Sequence, residues 1–303
     1  SEPWPHDEPA EGLVFATSSR PPCRDAKIAP CGASATDTCC CDHLEQMMIP
    51  VSAWGKAYVA AKSAQRGIEG DYWKIVASED GTQVNTNPYQ GDIPVLNAGQ
   101  SFELKSTTSF LIQSDKPVMV GQFLASSYEI NGSCEEGCQE NTSCKELQPG
   151  LNACSTNILT CNVDSDCPSG NTCVALSDDL FGGTTKQCEP IGDPAFMLAA
   201  PVEQFRDSYV FLVPNEYLQN FLTITAPVGP ELVLDGQPVA LDPIPGACTA
   251  DNTCWATKTV SLGDGTHSIN STNKESFGIM VHGYDDDVSY GYPAGMGLKD
   301  LTP

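Results

Sequence analysis

Tyr72-Trp73-Lys74-Ile75-Val76-Ala77, running into the turn Glu79-Asp80-Gly81, is the stretch whose reading decides the fold. It is short, aromatic and aliphatic, and it is closed by turn residues, a combination that predicts a strand and not a helix. Its surroundings repeat the pattern. Ala57-Tyr58-Val59-Ala60-Ala61 precedes it, and Ser101-Phe102-Glu103-Leu104, Phe110-Leu111-Ile112-Gln113 and Val118-Met119-Val120-Gly121-Gln122-Phe123 follow. Ser114-Asp115-Lys116-Pro117 reads as a turn separating the last two. Alternation of this kind sends one set of side chains to a buried face and the other to water.

Further along, the same pattern returns. Ser208 to Val213, Phe221 to Thr225 and Glu231 to Leu234 lead into the turn Asp235-Gly236. Thr257 to Leu262, His267 to Ile269 and Phe277 to Val281 complete the set. The order of features matches between the two regions. Tyr58-Val59, Trp73-x-Ile75-x-Ala77, Gly99, Ile112-x-Ser114 and Val118-x-Val120-x-Gln122 run parallel to Tyr209-Val210, Leu222-x-Ile224-x-Ala226, Gly265, Ile269-x-Ser271 and Phe277-x-Ile279-x-Val281. A duplicated β unit would produce this list, and so would two unrelated meanders. The expected fold is all-β: two similar antiparallel β-sandwich halves packed together, with a disulfide-rich loop insert and an irregular N-terminal arm. The expected divisions are the arm at 1–42, the first half at 43–130, the insert at 131–192 and the second half at 193–303.

Cysteine usage sets the compartment. Fifteen cysteines fall mostly into three clusters, Cys23 to Cys41, Cys134 to Cys188, and the pair Cys248 and Cys254. No Cys-x2-Cys knuckle occurs, and the four histidines are scattered at 6, 43, 267 and 282, which argues against zinc. A disulfide framework made in an oxidising compartment is expected, placing the protein outside the cell or on its surface. Within the insert, spacing favours Cys161–Cys173 and Cys167–Cys188, although spacing cannot fix connectivity. Cys248 and Cys254 suit a bridge closing a loop between two strands. Because fifteen is odd, at least one thiol is free or pairs with another chain.

The 39 acidic and 15 basic side chains give a formal charge of −24. Such a surface repels nucleic-acid backbones and anionic lipid, so neither is an expected partner. No apolar stretch of about 20 residues is present, so no transmembrane helix is expected. The polar opening Ser1-Glu2-Pro3-Trp4-Pro5 has the character of a mature end after cleavage.

No catalytic constellation emerges, and no enzyme, cofactor or metal is expected. Gly-x-Ser-x-Gly is absent. His43 and Glu45 lack the second histidine of a zinc-protease helix. His267 and His282 fall on expected strands, where a satisfied structural or surface histidine is the simpler reading. Asp285-Asp286-Asp287, and more weakly Asp164-x-Asp166, offer carboxylates to calcium, but successive residues on an extended chain point in alternate directions and no Asp-x-Asp-x-Asp-Gly loop is present. Tyr284, Tyr290 and Tyr292, with Pro293, could form a sugar-stacking face or simply pack. Asn131-Gly132-Ser133, Asn141-Thr142-Ser143 and Asn270-Ser271-Thr272 are glycan acceptors where the host glycosylates.

Several motifs carry a family resemblance. His43 to Lys56, Ile75-Val76-Ala77-Ser78-Glu79-Asp80-Gly81-Thr82, Leu234-Asp235-Gly236, Gly265-x-His267-x-Ile269, Phe277-Gly278-Ile279-x-Val281-x-Gly283-Tyr284 and Val288 to Gly295 stand in order. Together they resemble the N-terminal domain of IgG Fc-binding protein and its bacterial exported relatives, over roughly residues 43 to 130 and 193 to 298. The resemblance implies a non-catalytic, β-rich extracellular module, and none of the matched residues implies antibody binding.

Function is therefore expected to be structural or adhesive at a surface. Self-association is one expected form, with the strand-like run Gly12 to Thr17 of the arm adding to a neighbour's sheet edge as in a filament. The alternatives are a module for glycans or mucin-like partners, assisted by calcium, and a hydrolase whose residues are distant in sequence.

Overall fold

A computed structural model describes residues 44, 46–134, 137–148, 151–156, 161–167, 169–175, 186–285 and 288–301. The arm at 1–42, with His43, Glu45, Asp286 and Asp287, lies outside the described residues. The fold is all-β with antiparallel pairing throughout, as the alternating runs require.

Five strands open the first unit: β1 (Gly55–Ala60), β2 (Asp71–Ala77), β3 (Val84–Asn87), β4 (Ser101–Ser106) and β5 (Phe110–Phe123). The expected turn at 114–117 is instead the middle of β5, a continuous strand of 14 residues. The physical reason lies in its partners. Residues 110–114 pair with β1 and β3, whereas 118–123 pair with β2. Between them the register against β1 slips, Gly55 facing Val118 while Ala57 faces Gln113. Ser114 to Pro117 is thus a bulged crossing from one layer to the other, where Pro117 need not donate to a ladder. Tyr58, Trp73, Ile75, Val84, Phe110, Ile112, Val118 and Val120 fill the space between the layers.

Among the described residues the insert holds three two-stranded hairpins: β6 (Gly132–Ser133) with β7 (Gly137–Cys138), β8 (Thr142–Gln148) with β9 (Leu151–Thr156), and β10 (Asn171–Ala175) with β11 (Lys186–Pro190). Isolated hairpins are marginal in water. Here Cys134–Cys144, Cys138–Cys154, Cys161–Cys173 and Cys167–Cys188 hold them. The last two are the pairs that spacing favoured. Closing loops of 10 to 21 residues, each contributes roughly 3 kcal/mol by restricting the unfolded chain.

After the insert, β12 (Phe196–Leu198) returns to the first unit and pairs with residues 121–123 of β5. The second unit follows: β13 (Ser208–Val213), β14 (Gln219–Pro227), β15 (Leu232–Leu234), β16 (Gln237–Val239), β17 (Asp242–Cys248), β18 (Cys254–Leu262), β19 (Gly265–Ser271), β20 (Gly278–Asp285) and β21 (Val288–Pro293). They form two sheets, ordered β13-β19-β15-β16 and β17-β18-β14-β20-β21, with Tyr209, Phe211, Leu222, Ile224, Leu234, Ile269, Phe277 and Ile279 between them. Asp235 and Gly236 both have positive φ, 48° and 80°, the two-residue hairpin geometry that Asp-Gly favours. Cys248–Cys254 closes the β17–β18 connection, as its position between strands indicated.

The two units repeat each other in register as well as in order. Tyr58 faces Ile112 and Ile75 faces Val120; Tyr209 faces Ile269 and Ile224 faces Ile279. The hydroxyl of Tyr58 donates to the Val118 carbonyl at 2.6 Å and accepts from the Gly55 N–H, three residues earlier. Tyr209 does the same, donating to Phe277 O at 2.6 Å and accepting from the N–H of Arg206. Val118 and Phe277 are the residues paired by the sequence repeat, so the similarity extends to individual hydrogen bonds. The two halves are duplicated sandwiches, not unrelated meanders.

Candidate functional site

The densest polar chemistry in the described residues sits where the two units and the insert meet. Between β1 and β2 the chain runs Lys62-Ser63-Ala64-Gln65-Arg66-Gly67-Ile68-Glu69-Gly70, a loop that its charges would place in water. Instead, Arg66, Glu69 and Asp71 are 3%, 1% and 0% exposed. Buried charges persist only when each is paired and hydrogen-bonded, and here each is. Asp71 accepts from Lys62 Nζ at 3.0 Å, Ser63 N at 2.7 Å, Ser63 Oγ at 2.8 Å and Gln122 Nε2 at 2.7 Å. Burial alone would push its carboxyl up, but the Lys62 ammonium and the Ser63 donors outweigh that and hold it below the usual carboxylate range. Lys62 is likewise kept charged: burial lowers its affinity for a proton, and Asp71, Tyr284 and Glu69 more than restore it.

Glu69 closes the loop on itself, accepting from the Arg66 and Gly67 N–H groups at 3.0 and 2.7 Å. Arg66 reaches outward from it. Its guanidinium donates to the carbonyls of Ile191 (2.8 Å), at the end of the insert, and of Ala125 (2.6 Å), a few residues before the insert begins, and lies 4.3 Å over the Tyr284 ring of the second unit. One side chain thus ties all three parts of the molecule together.

His282 completes the junction from β20. Its Nε2 accepts the Ala64 N–H at 3.0 Å, and the Tyr284 hydroxyl donates to the Ala64 carbonyl at 3.1 Å. Burial pushes His282 down to about 3; Asp71 opposes this, while Lys62 and Arg66 add to it. The ring is therefore neutral, with its one acceptor nitrogen already used by backbone, and is not arranged as a general base. A cavity of about 30 Å³ beside it is lined by Ser63, Trp73, Gln122, Thr223, Thr225 and His282, which is room for a water and not for a substrate.

The other candidates are also structural in their contacts. The nitrogens of His267 face Asp235 Oδ2 at 2.6 Å and Gly263 O at 2.9 Å, pinning the β15–β16 hairpin to β19. Asp164 accepts from Thr172 Oγ1 and Cys173 N at 2.8 Å each, and Asp166 accepts from the Asn162 and Val163 N–H groups, so both carboxylates cap local backbone. Cys134, Cys138 and Cys154, and likewise Cys161, Cys167 and Cys173, are close enough to hold a metal but are spent in disulfides.

Of the three tyrosines in the expected sugar-stacking face, Tyr284 is removed by the fold: it is fully buried beneath Arg66. Alternation explains it: on β20, Ile279 and Val281 face the core between the two sheets, so Met280, His282 and Tyr284 face the junction. Tyr290 and Tyr292 remain half-exposed on β21. They stack at 6.3 Å, and Tyr217, from the β13–β14 loop, extends the row at 4.4 Å from Tyr290. Tyr290 donates to Asn220 Oδ1 at 2.8 Å and Tyr292 donates to the Leu212 carbonyl. Leu218 beside Tyr217 is 64% exposed. Tyr217 carries no signal in sequence, because only the loop's return path brings it to β21. The sequons also separate: Asn131 is 1% exposed and accepts from Gln139 and Asn171, whereas Asn141 and Asn270 are exposed.

With the geometry in place, comparison with known proteins adds one firm result. A family model described as IgGFc binding protein matches residues 18–143 and 175–283. The gap in that match, 144–174, falls inside the disulfide-held insert, and the match begins within the arm, upstream of the quoted motifs. No curated protein matches the chain. Among solved structures, an anti-sigma factor domain-containing protein is similar at 10% identity over 78% of this chain and 82% of its own, with a TM-score of 0.17. Another from Clostridium clariflavum, at 10% identity, covers 78% and 81% with a TM-score of 0.18. Scores that low carry no inference.

Proposed function

Because this chain belongs to the IgGFc-binding protein family, a group of surface or extracellular binding modules, we propose that it works as a non-catalytic structural and adhesive protein outside the cell. The observation that carries this is the row Tyr217–Tyr290–Tyr292 with exposed Leu218 at its end. Half-exposed tyrosine rings held in place by internal bonds of their hydroxyls, here to Asn220 and Leu212, present a rigid apolar face of the kind that contacts proteins and sugar rings. Arrays of surface proteins and of glycans, probed with and without a chelator, test the reading. Binding that is lost in Tyr217→Ala supports it, loss with chelator alone assigns the calcium-assisted form, and silence on both arrays overturns it.

Assembly is the second reading, and cysteine parity favours it. All ten cysteines from 134 onward are bonded in five disulfides. Of the fifteen, the five others are Cys23, Cys31, Cys39, Cys40 and Cys41, which cannot all pair among themselves. A bond from one of these five to another chain is the link this reading supposes. Negative-stain microscopy with a non-reducing gel of natively isolated protein tests this: filaments or a ladder support it, and monodisperse monomers on both overturn it.

A further inference from the structure

The ion pair of Lys62 and Asp71 stands out of water, its side chains 8% and 1% exposed. Glu69, whose Oε1 lies 3.6 Å from Lys62 Nζ, has its side chain fully buried. Solvating neither charge of a pair is costly, and a neutral product of the two would remove that cost. An amine nitrogen, a carboxyl oxygen 3.0 Å from it and a second carboxylate beside the same nitrogen are the parts that amide formation needs, held together in advance.

The donors around Asp71 divide its two oxygens between two tasks. Oδ1 accepts from Lys62 Nζ at 3.0 Å and from Ser63 Oγ at 2.8 Å. Oδ2 accepts from the Ser63 backbone N–H and from Gln122 Nε2, each at 2.7 Å. Two fixed donors at that distance stabilise an oxyanion when a tetrahedral centre forms at the attached carbon. Strand pairing keeps them fixed, since Asp71 opens β2 and Gln122 on β5 faces Trp73 of β2. Gln122 Nε2 also donates to the Ala61 carbonyl at 3.1 Å.

We infer that Lys62 and Asp71 close an intramolecular isopeptide bond. The ion pair is the form before closure. Proton transfer along the Nζ–H to Oδ1 bond gives an amine and an acid, in a site that solvates neither charge. The Nζ lone pair attacks Cγ, and negative charge gathers on Oδ2 against the Ser63 and Gln122 donors. Glu69 balances the positive charge that the nitrogen gains. A second proton leaves Nζ for the Ser63 hydroxyl, which accepts from it at 3.0 Å, and that hydroxyl passes its own proton to Oδ1. The Cγ–Oδ1 bond breaks and Oδ1 departs as water. Ammonium and carboxylate have become amide and water, with no oxidant, reductant or co-reactant. Closure happens once within the chain, so it goes beyond the adhesive reading and leaves its non-catalytic character intact. The titration of Asp71 belongs to the chain before closure. Closure removes one charge of each sign from beside His282, so burial still keeps that ring neutral.

The intact mass of the full chain tests the proposal, with the protein secreted into a bacterial periplasm that adds no N-glycan, then reduced and denatured. Wild type falls below its sequence mass by one water. Lys62→Arg keeps a cation beside Asp71, cannot form the same amide, and shows its full sequence mass. Fragmentation of the wild-type tryptic digest finds Ala57–Arg66, uncut at Lys62, joined to Gly67–Lys74 in a peptide with two amino termini. That spectrum decides alone if the variant fails to accumulate. Wild type at full sequence mass overturns the proposal and leaves the binding arrays untouched. A deficit that persists in Lys62→Arg, or that fragmentation places on an Asp-Gly step such as Asp80-Gly81, overturns it as well.

Discussion

His282 makes the junction sensitive to acid, and the effect can be worked out from its environment. The ring is fully buried against Phe221 and Tyr284, with Lys62, Arg66 and Asp71 as its charged neighbours, and its pKa falls from 6.5 to about 3. Between those values the folded chain keeps the ring neutral while the unfolded chain protonates it, so protons favour unfolding. The stabilisation is complete above pH 6.5 and declines as pH is lowered towards 3. At pH 4.5, two units below the unfolded value, the loss is about 3 kcal/mol, at about 1.36 kcal/mol per unit. His282→Gln can retain an acceptor for the Ala64 N–H and cannot titrate. Urea unfolding of both proteins at pH 7.5 and 4.5 should show wild type losing about 3 kcal/mol more than the variant. Parallel losses, within about 0.5 kcal/mol, would refute the assignment of a buried neutral histidine at the junction.

Asp71→Ala leaves Lys62 buried without its closest partner and should cost about 3–5 kcal/mol, read as a lower urea midpoint. Its depressed pKa adds a stability term that is complete above the ordinary carboxylate range and is lost only as pH falls below it, so it overlaps the His282 window only at its acid end and leaves the comparison at pH 7.5 and 4.5 to the histidine. Tyr58→Phe and Tyr209→Phe each remove the same buried hydroxyl bond in a different unit. Each should cost about 1 kcal/mol in thermal unfolding, and the two should add, because they share no partner. Secreted from a glycosylating host, the folded protein should carry glycan at Asn141 and Asn270 and none at Asn131, as glycopeptide mass spectrometry would show.

Much of the architecture was legible in the chain because strands announce themselves locally. Tyr72 to Ala77, Ser208 to Val213 and Phe277 to Val281 alternate or run apolar between turn residues, and the structure places each in a strand. The insert was legible from its cysteines, down to Cys161–Cys173 and Cys167–Cys188. Ser114 to Pro117 misled because polar residues and a proline mark turns and bulged crossings alike. Tyr284 misled because motif proximity to Tyr290 and Tyr292 says nothing about which side of a sheet a ring faces. The charged loop from Lys62 to Asp71 reads as solvent-exposed, and nothing in its composition shows that three separate parts of the chain close over it.

Sequence by itself therefore determined most of the strands, the presence of a disulfide framework and the family, since each rests on residues within a few positions of one another or on matched order, whereas the repeat stayed open against unrelated meanders until the pairing registers were known. Only the tertiary structure decided which surfaces the two units spend on each other. Val59 and Val210 occupy the same place in the repeat, yet one is buried under Ile244 and Trp255 and the other stands in water. That difference depends on packing between segments nearly two hundred residues apart, and no local pattern records it.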